Sequence, residues 1–323
     1  MEGNPPANAR LTALSRLRRK VRARRARRGF ESRLIWLFGS PRSGSSWLLQ
    51  LLASHPAVVQ VNEPLIGGYL GPIISESTNV NPADLELSNF TLLRTESDKP
   101  ESFFSSEFRD AWAPALGKLI VERFLAQTLR YPSEAPPSRT FVAIKEPNGS
   151  QSADVLMSAL PRARLLFLLR DGRDVVDSEL AANLEGAWLS GAIPGVRGIG
   201  EGERVEFVRR SAYRWLWRTE VVEEAYRTHG GPKHLIRYEE LLEDPATQMK
   251  SLFEWVGLEV DDTQLAAWIE RRSFERVPPE ARGPQGFFRA ARPGMWRESL
   301  TAEEQAVVEG IIGPKVRELG YDN

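Results

Sequence analysis

Leu34-Ile35-Trp36-Leu37-Phe38-Gly39-Ser40-Pro41-Arg42-Ser43-Gly44-Ser45-Ser46-Trp47-Leu48-Leu49 reads as an apolar strand, a loop of small residues and the start of an apolar helix. This order suits a phosphate cradle. Small residues let backbone N–H groups turn inward on phosphate oxygens, and the helix that follows adds unpaired N–H groups and the positive end of its dipole. A tight strand-to-helix turn that binds nothing would also use Gly, Ser and Pro, so the loop alone leaves both readings open. Measured against the nucleotide-triphosphate loop G-x-x-x-x-G-K-[ST], Gly39 and Gly44 are correctly spaced, but Ser45 stands where the lysine belongs. That weakens the case for a kinase or ATPase. Arg42, inside the loop, offers a different cation with a fixed fork of donors.

Outward from this stretch, short apolar runs alternate with longer amphipathic ones, the pattern of an α/β domain with a central, mainly parallel sheet flanked by helices. Strands are expected at 34–38, 58–61, 141–144, 165–169 and 235–237. Helices are expected at 45–53, 111–129, 152–160, 173–184, 205–227, 238–256, 262–271 and 302–319. Two stretches, 65–110 and 186–203, are rich in Gly, Pro, Ser and Asn and read as loop insertions that recognise a substrate. A second apolar strand, 165–169, ends in Arg170-Asp171-Gly172-Arg173-Asp174-Val175-Val176-Asp177-Ser178. An arginine at a strand's carboxyl end sits where open α/β sheets bind ligands, and Ser178 on the next helix can face back toward it. Such a pair suits a doubly charged phosphate. Arg173 is placed to pair with Asp177 one helical turn on.

Pro41-Arg42-Ser43-Gly44-Ser45-Ser46-Trp47 resembles the 5'-phosphosulfate loop of sulfotransferases that use 3'-phosphoadenosine 5'-phosphosulfate (PAPS), P-[KR]-S-G-[ST]-[ST]-W/L. Arg170 and Ser178, eight residues apart, resemble that family's 3'-phosphate motif, R-[DN]-P-R-D-x-x-x-S, with Gly172 where the family has proline; the glycine is expected to loosen the turn. The resemblance implies a P-loop-containing nucleotide-binding fold. It further implies that Arg42, Ser43, Gly44, Ser45 and Ser46 bind the 5'-phosphosulfate and that Arg170 and Ser178 bind the 3'-phosphate. Trp47 is expected either against adenine or in the core. Near the end of the chain, Arg289-Ala290-Ala291-Arg292-Pro293-Gly294-Met295-Trp296-Arg297 resembles the family's R-K-G-x-x-G-D-W-[KR] loop, matching at Arg289, Gly294, Trp296 and Arg297. Arg289 and Gly294 are thereby expected at the nucleotide. Tyr238-Glu239-Glu240-Leu241-Leu242-Glu243-Asp244-Pro245 resembles the family's Y-E-x-x-x-x-x-P stretch and is read as scaffold.

Sulfuryl transfer needs a base for the acceptor's proton and cations for the leaving phosphate; a well-placed base contributes on the order of 10²- to 10⁴-fold. Two glutamates stand immediately before prolines at predicted strand ends, Glu63 and Glu146, and the proline holds each extended. By resemblance to carbohydrate sulfotransferases the base is Glu63, and Lys145 matches the strand-end lysine that neutralises the leaving group; Glu146 is the alternative base. His55 reads as a helix-end residue.

The chain has 323 residues, no cysteine and three histidines, which removes thiolate and disulfide chemistry and leaves few ways to build a metal site. None is expected: the cofactor reading is PAPS, with 3'-phosphoadenosine 5'-phosphate (PAP) as product and no metal. Residues 1–30 carry ten Lys and Arg against Glu2, a balance of +9 that the remainder offsets with −9. They read as a flexible basic arm suited to an anionic membrane surface, with 31–323 as a single domain. No run approaches the roughly 18 apolar residues of a membrane span. The expectation is a cytoplasmic, membrane-peripheral enzyme acting on a hydroxyl or amine of a sugar, lipid-linked or natural-product acceptor, with no nucleic acid as partner. The competing readings are a Mg²⁺-dependent small-molecule kinase and a non-catalytic nucleotide- or polyanion-binding protein.

Overall fold

The computed structural model describes residues 27–70, 99–130, 134–136, 138–189, 197–278, 282–283 and 291–321. Each expected apolar run forms a strand: β1 (Leu34–Phe38), β2 (Val58–Asn62), β3 (Phe141–Lys145), β4 (Arg164–Leu169) and β5 (Lys233–Arg237). They make one parallel sheet in the order β2-β3-β1-β4-β5. β1 lies at its centre and is buried along its whole length. Its side chains alternate between two cores, Leu34, Trp36 and Phe38 toward one and Ile35 and Leu37 toward the other. A continuous apolar run is what a strand covered on both faces demands.

The helices are α1 (Ser45–Leu52), α2 (Ile66–Leu70), α3 (Arg109–Arg130), α4 (Ala153–Ala159), α5 (Gly172–Asn183), α6 (Arg204–Thr228), α7 (Tyr238–Glu243), α8 (Pro245–Val256), α9 (Asp262–Arg271), α10 (Trp296–Ser299) and α11 (Ala302–Glu318). Phe124 of α3, Leu156 of α4 and Val221 of α6 cover one face of the sheet. Leu48 of α1, Leu252 of α8 and Leu265 of α9 cover the other. A third core joins Val176 of α5, Trp215 of α6 and Ile312 of α11. Because β2 and β3 lie on one side of β1 and β4 and β5 on the other, strand order reverses at β1. The crevice beyond its carboxyl end is therefore where this class of sheet binds ligands.

Four expectations change. The single helix over 238–256 is two, because Pro245 opens α8 and the Asp244 carboxylate accepts a hydrogen bond from the Thr247 N–H at 3.0 Å. The turn before α5 is not loosened by Gly172. Asp171 caps it by accepting from the Arg173 N–H at 2.9 Å, and a Cβ on Gly172 would stand 2.6 Å from the Trp215 ring. Arg173, expected on Asp177, pairs with Asp171 at 2.8 Å and stacks on Trp296. Phe30, placed in the arm by composition, is 1% exposed in the core, and Arg27 pairs with Glu122. Packing thus begins before residue 31. Of the two insertion stretches, residues 71–98 and 190–196 lie outside the described residues, as do residues 1–26 of the arm. Among the described residues no helix is long and apolar enough to cross a membrane.

Candidate functional site

The loop between β1 and α1 is curled by two left-handed residues, Arg42 at φ 66° and Gly44 at φ 89°. Gly44 also has to be small, since a Cβ there would meet the Tyr238 ring at 2.5 Å. Ser45 and Ser46 head α1, so their N–H groups have no acceptor within the helix. The Ser43 hydroxyl is buried with no hydrogen-bond partner. Buried polar atoms are ordinarily paired, and an orphan beside free helix amides fits an oxyanion as its missing partner. Ser150 fixes the start of the loop, its hydroxyl accepting from the Gly39 N–H at 3.0 Å and donating to the Gly39 carbonyl at 2.8 Å.

From this loop a pocket opens with about 940 Å³ of space, counting its solvent-open mouth. The Arg42 Nε donates to the Ser178 hydroxyl at 3.1 Å, and Arg170 donates from Nη1 to the Arg42 carbonyl at 2.8 Å. Thus the two sequence segments expected to hold opposite ends of a bisphosphate meet in one pocket. The Arg170 guanidinium lies 4.4 Å from the centre of the Tyr238 ring, and its Nε is buried without a hydrogen-bond partner. Trp47 lines the pocket and also packs on the core, with its ring edge-on to Tyr238.

Beside the loop is a second polar group. Glu63, directly after β2, is not extended as its following proline suggested but left-handed, at φ 47°, because its N–H turns to donate to the Lys145 carbonyl at 2.9 Å. Its Oε1 stands 2.7 Å from the Lys145 Nζ, which also donates to the Ser46 hydroxyl at 2.9 Å. Its Oε2 accepts from the Asn148 Nδ2 at 2.7 Å. Lys145 is buried, so the ammonium is presented to the loop from beneath. A non-glycine residue in the left-handed region stores strain that the surroundings must hold, a condition found at functional sites. The arrangement places a carboxylate, an ammonium and a phosphate-loop hydroxyl in one hydrogen-bonded row.

Two expected residues do not reach the site. Glu146 is 0% exposed and faces the backbone of Leu65, Ile66 and Gly67; burial pushes its pKa up to about 7. It stands just past β3 and is not among the residues that line the pocket. Gly294 has φ 81° and spends its N–H on Asp174 at 2.7 Å, in a recess apart from the pocket. Its neighbours Ala291, Arg292 and Met295 line the pocket instead. Arg289 lies outside the described residues. The loop is held down by α5: Asp174 accepts from the Gly294 and Trp296 amides, and Asp177 accepts from the Ser299 hydroxyl. Burial raises the Asp174 pKa.

Tyr238, read as scaffold, is part of the pocket wall, and the signal for it was present, since it directly follows β5 as Arg170 follows β4. Arg272 and Phe274 also line the pocket and belong to no motif that the sequence displays. His55 is the helix-end residue expected, its Nδ1 accepting from the Ala57 N–H and its ring packed on Phe253 and Trp268. Among the described residues no three of His, Asp and Glu are grouped to hold a metal ion.

A central parallel sheet, a glycine-serine phosphate loop and an arginine–serine pair at the next strand's end define a nucleotide-binding α/β protein. The sequence model of the sulfotransferase family matches residues 35–262, and the chain belongs to that family. It is 22% identical over 301 residues to protein-tyrosine sulfotransferase A of Caenorhabditis elegans, covering 90% of this chain and 68% of that protein. Among solved structures it resembles that of a mouse sulfotransferase complexed with PAP, with a TM-score of 0.51 and 13% identity over 89% of each chain. That likeness concerns the fold.

Proposed function

We propose that the chain transfers the sulfuryl group of PAPS to an acceptor hydroxyl, with Glu63 as base. The observation that carries this reading is the row Ser46–Lys145–Glu63, which sets a carboxylate next to the cation beside the phosphate loop. The loop amides and hydroxyls of residues 43–46 would hold the 5'-phosphosulfate, with Arg42 at the transferring group. Arg170 and Ser178 would take the 3'-phosphate, and the aromatic wall of Trp47, Tyr238 and Phe274 would receive adenine. An acceptor oxygen attacks sulfur as its proton passes to the Glu63 carboxylate. The bond from sulfur to the bridging phosphate oxygen breaks, and Lys145 neutralises charge on that oxygen. PAP leaves. Every step uses groups of this chain, so the reading includes no metal.

For the acceptor, a carboxylate base and the resemblance to carbohydrate sulfotransferases support a hydroxyl or amine of a sugar, lipid-linked or natural-product molecule. The likeness to a protein-tyrosine sulfotransferase supports a second reading, a tyrosine in a peptide. Incubation with ³⁵S-labelled PAPS and a panel of amino sugars, lipid-linked sugars, natural-product alcohols and tyrosine peptides, with and without EDTA, separates them. The expected result is label transfer to one class, undiminished by the chelator. Transfer from ATP with Mg²⁺ and none from PAPS would replace this reading with a kinase.

A further inference from the structure

We propose that Asn148 is a positioning residue that holds Glu63 in its working orientation through the catalytic cycle; the proposal rests on Glu63 acting as the base. Glu63 has two partners, Lys145 on Oε1 and Asn148 on Oε2, each at 2.7 Å. They are not equivalent. Lys145 also donates to Ser46 of the phosphate loop, so an anion bound on that loop competes with Glu63 for the ammonium. Once Lys145 turns to the leaving phosphate, Asn148 is the partner that stays. A neutral amide donor fixes Oε2 and leaves Oε1 toward the acceptor's proton without placing a second positive charge on the carboxylate. Orientation of this kind removes an entropic part of the barrier.

The backbone keeps the two residues in register. Asn148 is the second residue of the turn Pro147–Ser152, and its carbonyl accepts from the Gln151 Nε2 at 2.8 Å. That turn is fastened to α2, just beyond Glu63: the Ser152 hydroxyl donates to the Gly67 carbonyl at 3.0 Å. Gly67 and Gly149 touch so closely that a Cβ on Gly67 would stand 2.2 Å from the Gly149 carbonyl oxygen. Of the ionisable groups near Glu63, Lys145 pairs with it directly and the buried Glu146 lies within electrostatic reach.

The test compares wild type, Asn148→Ala, Asn148→Gln and Glu63→Gln by release of labelled sulfate from PAPS to water and by transfer to a tyrosine peptide and to an amino sugar. Calorimetric PAP binding checks folding of each variant. The bond from Asn148 to the Glu63 carboxylate is open to solvent, which replaces part of it on truncation, so kcat is expected to fall about 10-fold in Asn148→Ala. KM for PAPS and PAP affinity stay within about twofold in that variant, because Asn148 touches neither. Asn148→Gln, which keeps an amide donor, recovers part of the loss. Wild-type kcat in Asn148→Ala beside a slow Glu63→Gln overturns the role of Asn148 alone. A Glu63→Gln variant as fast as wild type overturns the base assignment beneath it.

Discussion

Glu63 and Glu146 are two glutamates before prolines at the ends of neighbouring strands, and the structure gives them opposite surroundings. Glu63 meets an ammonium and an amide at the edge of the phosphate loop. Glu146 is sealed behind α2, and burial raises its pKa from the ordinary 4.5 to about 7. The folded chain therefore keeps a proton on Glu146 that the unfolded chain has released between these two values. Stability conferred by that proton is lost as pH rises from about 4.5 through about 7, by on the order of 1–3 kcal/mol. Thermal melts of Glu146→Gln are expected to match wild type at pH 5 and to exceed it at pH 8; parallel curves at both pH values would contradict this. Sequence separated the pair only by resemblance. What distinguishes them is contact with residues 65–67, and a local pattern does not carry contacts between distant segments. The same limit explains Arg272, whose place in the pocket depends on how α9 packs. Arg170 was legible because the strand-end rule ties it to a position on the sheet, Arg42 because it sits inside a loop of small residues between strand and helix, and Ser178 because it lies on the helix that follows Arg170.

At the level of elements, the strands were readable because each is an apolar run whose burial follows from a helix-covered parallel sheet. Helix ends were readable less well. Asp244-Pro245 stops one helix and caps the next, a signal that a long amphipathic pattern across 238–256 concealed. Gly172 shows how a departure from a family motif is answered in the third dimension. The position where relatives in that motif carry proline is filled here by the Trp215 ring and Ile312 pressing on the glycine. Replacing Gly172 with alanine forces a contact of 2.6 Å with that ring. The expected cost is roughly 1–3 kcal/mol, read as a lowered denaturation midpoint in urea. An unchanged midpoint would mean that α5 and α6 slide apart without penalty. The C-terminal loop depends on Asp174 and Asp177, which lie three apart on one face of α5 and receive Gly294, Trp296 and Ser299. Those bonds span more than a hundred residues of sequence, so no local pattern announces them.

The whole molecule divides its charge, +9 in residues 1–30 against −9 in the rest. Attraction of so basic a segment to an anionic surface falls with salt, whereas the chemistry proposed above uses none of its residues. Deleting residues 1–26 should leave turnover within about twofold and reduce retention on phosphatidylserine vesicles at low salt. Loss of turnover on that deletion would give the arm a catalytic part. The central claim concerns the nucleotide. It is that the β1–α1 loop and Arg170 together bind a 3',5'-bisphosphate, and it is tested most directly by calorimetry of PAP and of ATP with Mg²⁺ on wild type and Arg170→Ala. The account predicts metal-independent PAP binding that weakens about 30-fold or more in Arg170→Ala, the loss expected when a partly buried charge-assisted contact is removed. Binding of ATP with Mg²⁺ in preference to PAP, or PAP binding indifferent to Arg170, would contradict it.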